Sequence, residues 1–202
     1  MIAIIDYDIG NIAAVANMLR RLNVPCIITN LPDEIDRADR IILPGNGSFD
    51  ACVKNLRNSG LVPVIEHKVL EQGVPLLGIC VGAQMLGKGS EEGTEAGLGW
   101  LNMKVRRFPD MQGLRIPCMG WNEVRSAKHH YITQYIEPKS RFYFVHSYYM
   151  DPVDESDILL FSDYGIEFSA AVSKMNIVGV QFHPEKSHRF GKFLLAAFAK
   201  GE

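Results

Sequence analysis

The segment VPLLGICVGAQ, residues 74–84, decides the fold. Val74–Ile79 is an almost purely apolar run of strand length, which is typical of a strand buried on both faces of a parallel sheet. The next residues follow the pattern Gly78-Ile79-Cys80-Val81-Gly82, in which the glycines allow a sharp, strained turn from a strand into a helix. We therefore expect a central strand, a tight turn at Cys80 and a helix beginning near Val81.

Strand-length and helical patterns alternate on the N-terminal side of this segment, which favours βαβ units around a parallel sheet. The predicted strands are Ile2–Asp6, Cys26–Thr29 and Arg40–Leu43. Apolar positions at helical spacing predict helices over Ile12–Leu22, Phe49–Asn58 and Leu61–Gln72.

The chain changes character from residue 103, because β-rich runs then follow one another without helices between them. These runs are Met103–Phe108, Asn122–Val124, Arg141–Met150 and Ile158–Phe161. A hairpin is predicted from Glu167–Val172 and Ile177–Phe182, and a closing amphipathic helix contains Phe190 through Phe198. We expect one α/β domain over residues 1–202, with a mixed, mostly parallel sheet flanked by helices.

Composition limits the class of protein. The 202 residues are 47% hydrophobic and 22% charged, which excludes intrinsic disorder as the main state. A net charge of −2 gives no electrostatic footprint for nucleic acid or an anionic membrane. The start lacks the basic region of an export signal, and the longest uncharged stretch, Gly73–Gly87, is too short to cross a membrane. Four cysteines without a C-x-x-C pair suit a reducing, cytoplasmic location.

Cys80 is the first candidate catalytic residue. A thiol in this turn lies at a helix N-terminus, whose partial positive charge favours the reactive thiolate. The N–H of Val81 is placed to donate to an oxyanion formed when the sulfur attacks a carbonyl. The alternative is that Cys80 is a small buried hydrophobic residue, as free cysteines commonly are. Packing is the favoured role for the other cysteines, Cys26, Cys52 and Cys118.

His183 and Glu185 form the second candidate group. Pro184 biases His183 toward extended backbone, where residues i and i+2 face the same way, so the imidazole and the carboxylate share a face. A nucleophilic thiol needs such a base and a partner that orients it. The alternative is a surface histidine beside a solvated acid. No histidine shows the H-E-x-x-H spacing of a metal site, so we predict no bound metal.

The loop Pro44-Gly45-Asn46-Gly47 is the third candidate, because it follows the strand Arg40–Leu43. A tight turn is the plain interpretation of Asn-Gly. At the carboxyl edge of a parallel sheet, however, a glycine-rich loop can offer backbone N–H groups to a ligand. The loop is therefore a candidate for a second oxyanion donor.

Together these residues resemble class I glutamine amidotransferases, whose glutaminase domains carry a G-x-C-x-G turn and a late His-Pro-Glu. The resemblance extends to glutaminase subunits that act in imidazole glycerol phosphate synthesis. It covers nearly the whole chain and rests on these blocks: Asp6-Tyr7, Gly10-Asn11-Ile12, Pro44-Gly45-x-Gly47, Gly78-Ile79-Cys80, Ser90-Glu91-Glu92-Gly93, Gly97-Leu98-Gly99, Met119-Gly120-Trp121-Asn122, Tyr143-Phe144-Val145-His146-Ser147-Tyr148 and Gln181-Phe182-His183-Pro184-Glu185-Lys186-Ser187.

The resemblance implies a flavodoxin-like fold and a Cys-His-Glu triad that hydrolyses L-glutamine to glutamate and ammonia without a cofactor. Cys80 would attack the amide, with His183 moving the proton and Glu185 orienting it. Further roles are implied for three groups: an oxyanion hole of Val81, Asn46 and Gly47; a glutamine site of Gln84, Glu92, Ser147 and Tyr148; and a partner face of Asn11, Trp121, Asn122 and Lys186.

The implied partner is a (β/α)8-barrel cyclase subunit, in a heterodimer that channels ammonia into histidine biosynthesis. Asn46, Val81, Ala83 and Cys118 depart from the usual pattern of this group, although none of these changes removes a catalytic group. Three alternatives stay open. One is a paralogous glutaminase subunit that supplies ammonia for amidation of a sugar in surface-polysaccharide synthesis. The second is a regulatory or binding subunit without catalytic activity. The third is a cysteine hydrolase that acts without a partner, for example on γ-glutamyl substrates.

Overall fold

The computed structural model describes residues 1–201. Six α-helices are present in this range: α1 Ile12–Arg21, α2 Pro32–Asp36, α3 Phe49–Asn58, α4 Val62–Glu66, α5 Val81–Gln84 and α6 His188–Lys200. The strands are β1 Ile2–Ile5, β2 Cys26–Thr29, β3 Arg40–Leu43, β4 Leu76–Ile79, β5 Met103–Arg107, β6 Cys118–Ser126, β7 Arg141–His146, β8 Tyr148–Pro152, β9 Ile158–Asp163, β10 Glu167–Lys174 and β11 Ile177–Val180.

The strands form one mixed sheet, in the order β2-β1-β3-β4-β11-β10-β9-β6-β7. Pairing is parallel from β2 to β11 and antiparallel beyond it, and β8 joins β5 to β10. A mixed α/β sheet was expected and is confirmed. Its parallel part is confined to five strands, so the expected parallel majority holds only for the half that contains β4.

The pairing of β4 with β11 brings two distant segments together. The strands run parallel with Ile79 opposite Val180, and the Cys80 N–H donates to the Val180 carbonyl oxygen at 2.8 Å. All four residues of each strand are buried, as expected for the apolar run of β4. Because parallel strands end at the same edge of a sheet, the residues that follow β4 and β11 meet there.

Several local predictions match the structure closely. The bounds of β2, β3 and α3 are those predicted, and the hairpin of β10 with β11 and the closing helix α6 are present. The predicted helix Leu61–Gln72 is α-helical only to Glu66. It continues as a π-helical turn, His67–Glu71, in which the Gln72 N–H donates to the His67 carbonyl oxygen.

The β-rich half differs more from the prediction. The predicted strand Arg141–Met150 is two strands, because the chain changes pairing partners at Ser147. β7 pairs with β6, whereas β8 pairs with β5 and β10. The predicted Asn122–Val124 extends to Cys118–Ser126, since β6 pairs with β7 along its first part and with β9 along its last part.

No helix within residues 1–201 is long and apolar enough to cross a membrane. In the same range, no group of three or more His, Cys, Asp and Glu side chains is arranged to hold a metal ion.

Candidate active site

Cys80 lies in the tight turn between β4 and α5, and it is buried. Its backbone has φ 53° and ψ −115°, a conformation that is strained for any residue other than glycine. A Cβ on Gly78 would lie 2.7 Å from the Cα of Ala83, and one on Gly82 would lie 2.1 Å from the Leu43 carbonyl oxygen. Both glycines are therefore required, and the predicted turn at Cys80 is confirmed.

His183 and Glu185 are hydrogen-bonded to each other beside this turn. The distance from Nδ1 of His183 to Oε1 of Glu185 is 2.8 Å, and the side chains are 3% and 2% exposed, so the pair is not a solvated surface pair. The backbone of His183 is held by its N–H, which donates to the Tyr143 carbonyl oxygen at 2.9 Å, and by the Ser187 hydroxyl, which donates to the His183 carbonyl oxygen at 2.6 Å.

Electrostatics couple His183 to Cys80. Burial alone would lower the pKa of His183, but interactions with Cys80 and Glu185 raise it to about 9. Within residues 1–201, Nε2 of His183 and Oε2 of Glu185 are buried without a hydrogen bond. The interactions with the Cys80 sulfur and the Glu185 carboxylate therefore favour the protonated imidazole.

A cavity of ≈ 240 Å³ opens beside Cys80. It is smaller than the roughly 300–1,000 Å³ of pockets for drug-sized ligands, and so fits a ligand the size of an amino acid. Its lining includes every residue predicted for the oxyanion hole and the substrate site: Asn46, Gly47, Val81, Gln84, Glu92, Ser147 and Tyr148. Pro117, Val145 and His146 complete the lining and were not predicted.

The loop of residues 44–47 packs directly against the turn at Cys80. A Cβ on Gly45 would lie 2.1 Å from the Gly82 nitrogen, so only glycine permits this approach. The Tyr7 hydroxyl donates to the Pro44 carbonyl oxygen. The Cys52 thiol is 3.5 Å from the Asn46 carbonyl oxygen, and burial raises its pKa to about 11. The buried side chains of Tyr7 and Cys52 therefore hold the loop in position.

Glu92 enters the cavity from a segment that Asp50 holds in place. The Asp50 carboxylate accepts hydrogen bonds from the N–H groups of Thr94 and Glu95, at 3.0–3.1 Å. Oε2 of Glu92 accepts from the Phe49 N–H at 3.0 Å. Phe49 and Asp50 are the first residues of α3, so the start of this helix orients the Glu92 carboxylate.

Two buried polar residues near Cys80 were missed by the sequence reasoning. Gln181 is fully buried, and its Nε2 lies 3.8 Å from the Cys80 sulfur. His146 is buried, and its Nδ1 lies 2.8 Å from the Tyr148 carbonyl oxygen. The two-residue period that paired His183 with Glu185 could also have identified Gln181, which precedes His183 by two positions.

Three of the predicted partner-facing residues are exposed. Trp121 is 41% exposed and stacks on His188, with ring centroids 5.3 Å apart, and Lys186 lies over the ring of Tyr143. Asn11 is exposed where α1 begins, and α1 contacts the turn that contains Lys186.

Asn122 is half-buried, and its Nδ2 donates to the sulfur of the buried Cys118. Neighbouring strand residues point to opposite faces, so Asn122 and Trp121 lie on opposite faces of β6. That Asn122 faces a partner stays a prediction.

Comparisons with known proteins agree with this geometry. The family model of glutamine amidotransferase class-I matches residues 3–200. Imidazole glycerol phosphate synthase subunit HisH 2 of Pseudomonas aeruginosa is 49% identical, over 99% of each chain. The protein of the same name from Methanococcus maripaludis is 47% identical, also over 99% of each chain. Subunit HisH of Leptospira interrogans is 45% identical, over 98% of this chain and 99% of its own.

Solved structures support the fold. PurLQS from Thermotoga maritima superposes with a TM-score of 0.76 at 18% identity, over 99% of this chain and 97% of that chain. A glutamine amidotransferase from Thermotoga maritima gives a TM-score of 0.65 at 20% identity, over 99% of this chain and 82% of that one. At these identities the likeness concerns the fold alone.

Proposed function

This chain belongs to the class I glutamine amidotransferase family, and we propose that it is the glutaminase subunit of an imidazole glycerol phosphate synthase, acting in histidine biosynthesis. One observation carries the chemical part of the proposal: a strained, buried Cys80 interacts with the buried His183–Glu185 pair. The names of the full-length relatives support the subunit and the pathway.

The reaction begins with attack by the Cys80 sulfur on the side-chain amide carbon of glutamine. The N–H of Val81 and the loop at Asn46 and Gly47 stabilise the oxyanion of the tetrahedral intermediate. The imidazolium of His183 then gives its proton to the leaving nitrogen, the C–N bond breaks, and ammonia and a glutamyl thioester remain. His183 is suited to this step because its raised pKa favours the protonated ring, which carries the proton to be given.

Hydrolysis of the thioester completes the cycle. A water molecule attacks the carbonyl carbon while the neutral imidazole of His183 takes its proton, and the C–S bond breaks to release glutamate. Glu185 holds Nδ1, so that Nε2 is the atom that exchanges protons. Glu92 and Gln84 provide acceptors for the substrate's α-ammonium group, and Ser147 and Tyr148 complete the site.

The partner in the proposal is a (β/α)8-barrel cyclase subunit, which receives the ammonia through a channel between the subunits. Trp121, Asn11 and Lys186 form the exposed surface that supports this heterodimer. We expect Trp121→Ala to weaken association measured by calorimetry. Met175→Ala is the matched control, because Met175 is also an exposed apolar side chain but lies before β11, at the opposite edge of the sheet.

The test of the reaction separates ammonia production from its use. The complex with Cys80→Ala should make no product from glutamine, while product formation from added ammonium salt should continue. Retained glutamine-dependent turnover would refute the role of Cys80 and favour a non-catalytic subunit. Restored growth of a histidine auxotroph that lacks its own glutaminase subunit would support the pathway. Failure to restore growth, together with full glutaminase activity, would favour the sugar-amidating alternative.

A further inference from the structure

A network of hydrogen bonds between buried groups runs beside the cavity and ends at Cys80. It begins at the Tyr148 carbonyl oxygen, which lies 2.8 Å from Nδ1 of His146 and 3.1 Å from Nε2 of Gln84. Nε2 of Gln84 also donates to Oε1 of Gln181 at 3.0 Å, and Nε2 of Gln181 lies 3.8 Å from the Cys80 sulfur. Gln84 is 2% exposed and Gln181 is fully buried, so water does not compete for these groups.

The Tyr148 carbonyl oxygen determines the direction of the hydrogen bonds in this network. A carbonyl oxygen only accepts hydrogen bonds, so Gln84 must present its NH₂ group to Tyr148. The second hydrogen of that group then requires an acceptor, and Oε1 of Gln181 supplies it. Gln181 must consequently present its own NH₂ group to Cys80. The network thus delivers an N–H donor to the sulfur.

His146 also donates a hydrogen bond to the Tyr148 carbonyl oxygen. Burial lowers the pKa of His146 to about 4, so the ring is neutral at pH 7. Its bond to the Tyr148 carbonyl oxygen uses the single N–H of that neutral ring, at Nδ1. The carbonyl oxygen therefore receives donors from two buried side chains, which holds it as the fixed acceptor.

We propose that Gln181 is a further catalytic residue, whose amide N–H stabilises negative charge on the Cys80 sulfur. Hydrogen bonds to charged acceptors are roughly twice as strong as neutral ones, so the N–H stabilises the thiolate more than the thiol. The same donor acts again during hydrolysis, when the C–S bond breaks and its electron pair moves onto the sulfur. This inference rests on the proposed function, in which Cys80 is the nucleophile.

The test measures the reactivity of each cysteine in the full chain. Iodoacetamide alkylation is followed from pH 5 to 10, and peptide mass spectrometry reads Cys80 separately from Cys52 and Cys118. Gln181→Met keeps the length of the side chain but removes the donor. We expect the half-maximal pH for alkylation of Cys80 to rise by about one unit, and alkylation below that pH to slow roughly tenfold, as loss of a hydrogen bond to a charged group predicts.

A second variant tests the same role of Gln181 if Gln181→Met does not fold. Gln84→Met leaves Gln181 in place but frees its amide to rotate, so the half-maximal pH for Cys80 should rise by a smaller amount. Gln72→Met is the control, because Gln72 is exposed directly after the π-helical turn, and it should change nothing.

The outcomes separate this inference from the proposed function. If Cys80 in the unmodified chain is no more reactive at pH 7 than the buried Cys118, both fail. If Cys80 is reactive and both Gln181→Met and Gln84→Met leave its pH profile unchanged, only the role of Gln181 is refuted. A melting temperature lowered without any change in that profile would mean that Gln181 serves packing alone.

Discussion

Replacement of Cys80 by serine should change the proton affinity of His183. In the folded chain the pKa of His183 is about 9, against about 6.5 for an unperturbed histidine. This difference of about 2.5 units corresponds to a preference of about 3 kcal/mol for the protonated ring. Burial opposes the preference, so it arises from the interactions of the ring with Cys80 and Glu185, and the interaction with Cys80 is the larger of the two.

A serine hydroxyl remains neutral over the accessible pH range and cannot replace the interaction with sulfur. We therefore expect Cys80→Ser to lower the pKa of His183 by at least about one unit, or about 1.4 kcal/mol. The interaction with Glu185 stays in place, because that side chain lies on the other side of the ring, at Nδ1. The pKa of His183 falls because Cys80 favours the charged ring, so that without this partner the ring loses its proton at a lower pH.

The assay is an NMR titration of the imidazole signals of the isolated chain between pH 5 and 10. His183 is assigned by its loss in His183→Asn, and His146 serves as an internal reference because its pKa of about 4 lies below this range. Cys118→Ser is the control, since Cys118 is buried but does not contribute to the pKa of His183. A His183 pKa of 6.5 or less in the unmodified chain, or the same value after Cys80→Ser, would refute this account of the site.

Three further predictions concern the groups around the triad. Gly45→Ala should destabilise the chain by about 1–3 kcal/mol in urea unfolding and reduce glutamine turnover, because its Cβ would overlap the Gly82 nitrogen. Asp50→Ala should raise the KM for glutamine more than it lowers kcat, since it loosens the segment that carries Glu92. Between pH 6.5 and 4, His146 is neutral in the folded chain but gains a proton on unfolding, so the folded chain loses stability as the pH falls. His146→Gln should reduce this loss by up to about 3 kcal/mol.

Each of these predictions has a matched control. Gly89→Ala should be tolerated, because a Cβ there would meet only the Glu95 carbonyl oxygen at an ordinary 3.7 Å. Asp163→Ala and His129→Gln change exposed residues and should leave KM and acid stability unaltered. Equal effects of a variant and its control would contradict the structural reason given for that variant.

Local sequence patterns predicted the elements that depend on local interactions. The bounds of β2, β3 and α3 follow from apolar runs and helical spacing, and the turn at Cys80 follows from its glycines. The break at Ser147 could not be predicted in this way. It arises because β7 and β8 pair with strands that are distant in sequence, and no property of residues 141–150 alone determines those partners.

The same limit explains why Gln181 was overlooked while His183 was found. The role of His183 is visible from two neighbours, Pro184 and Glu185, that act within the same segment. The role of Gln181 depends on Gln84 and on a backbone oxygen of β8, which reach it only after β4 pairs with β11 and β8 pairs with β10. A buried amide costs free energy unless it is hydrogen-bonded, so a polar residue directly after a strand as apolar as Ile177–Val180 is itself a signal that such partners exist.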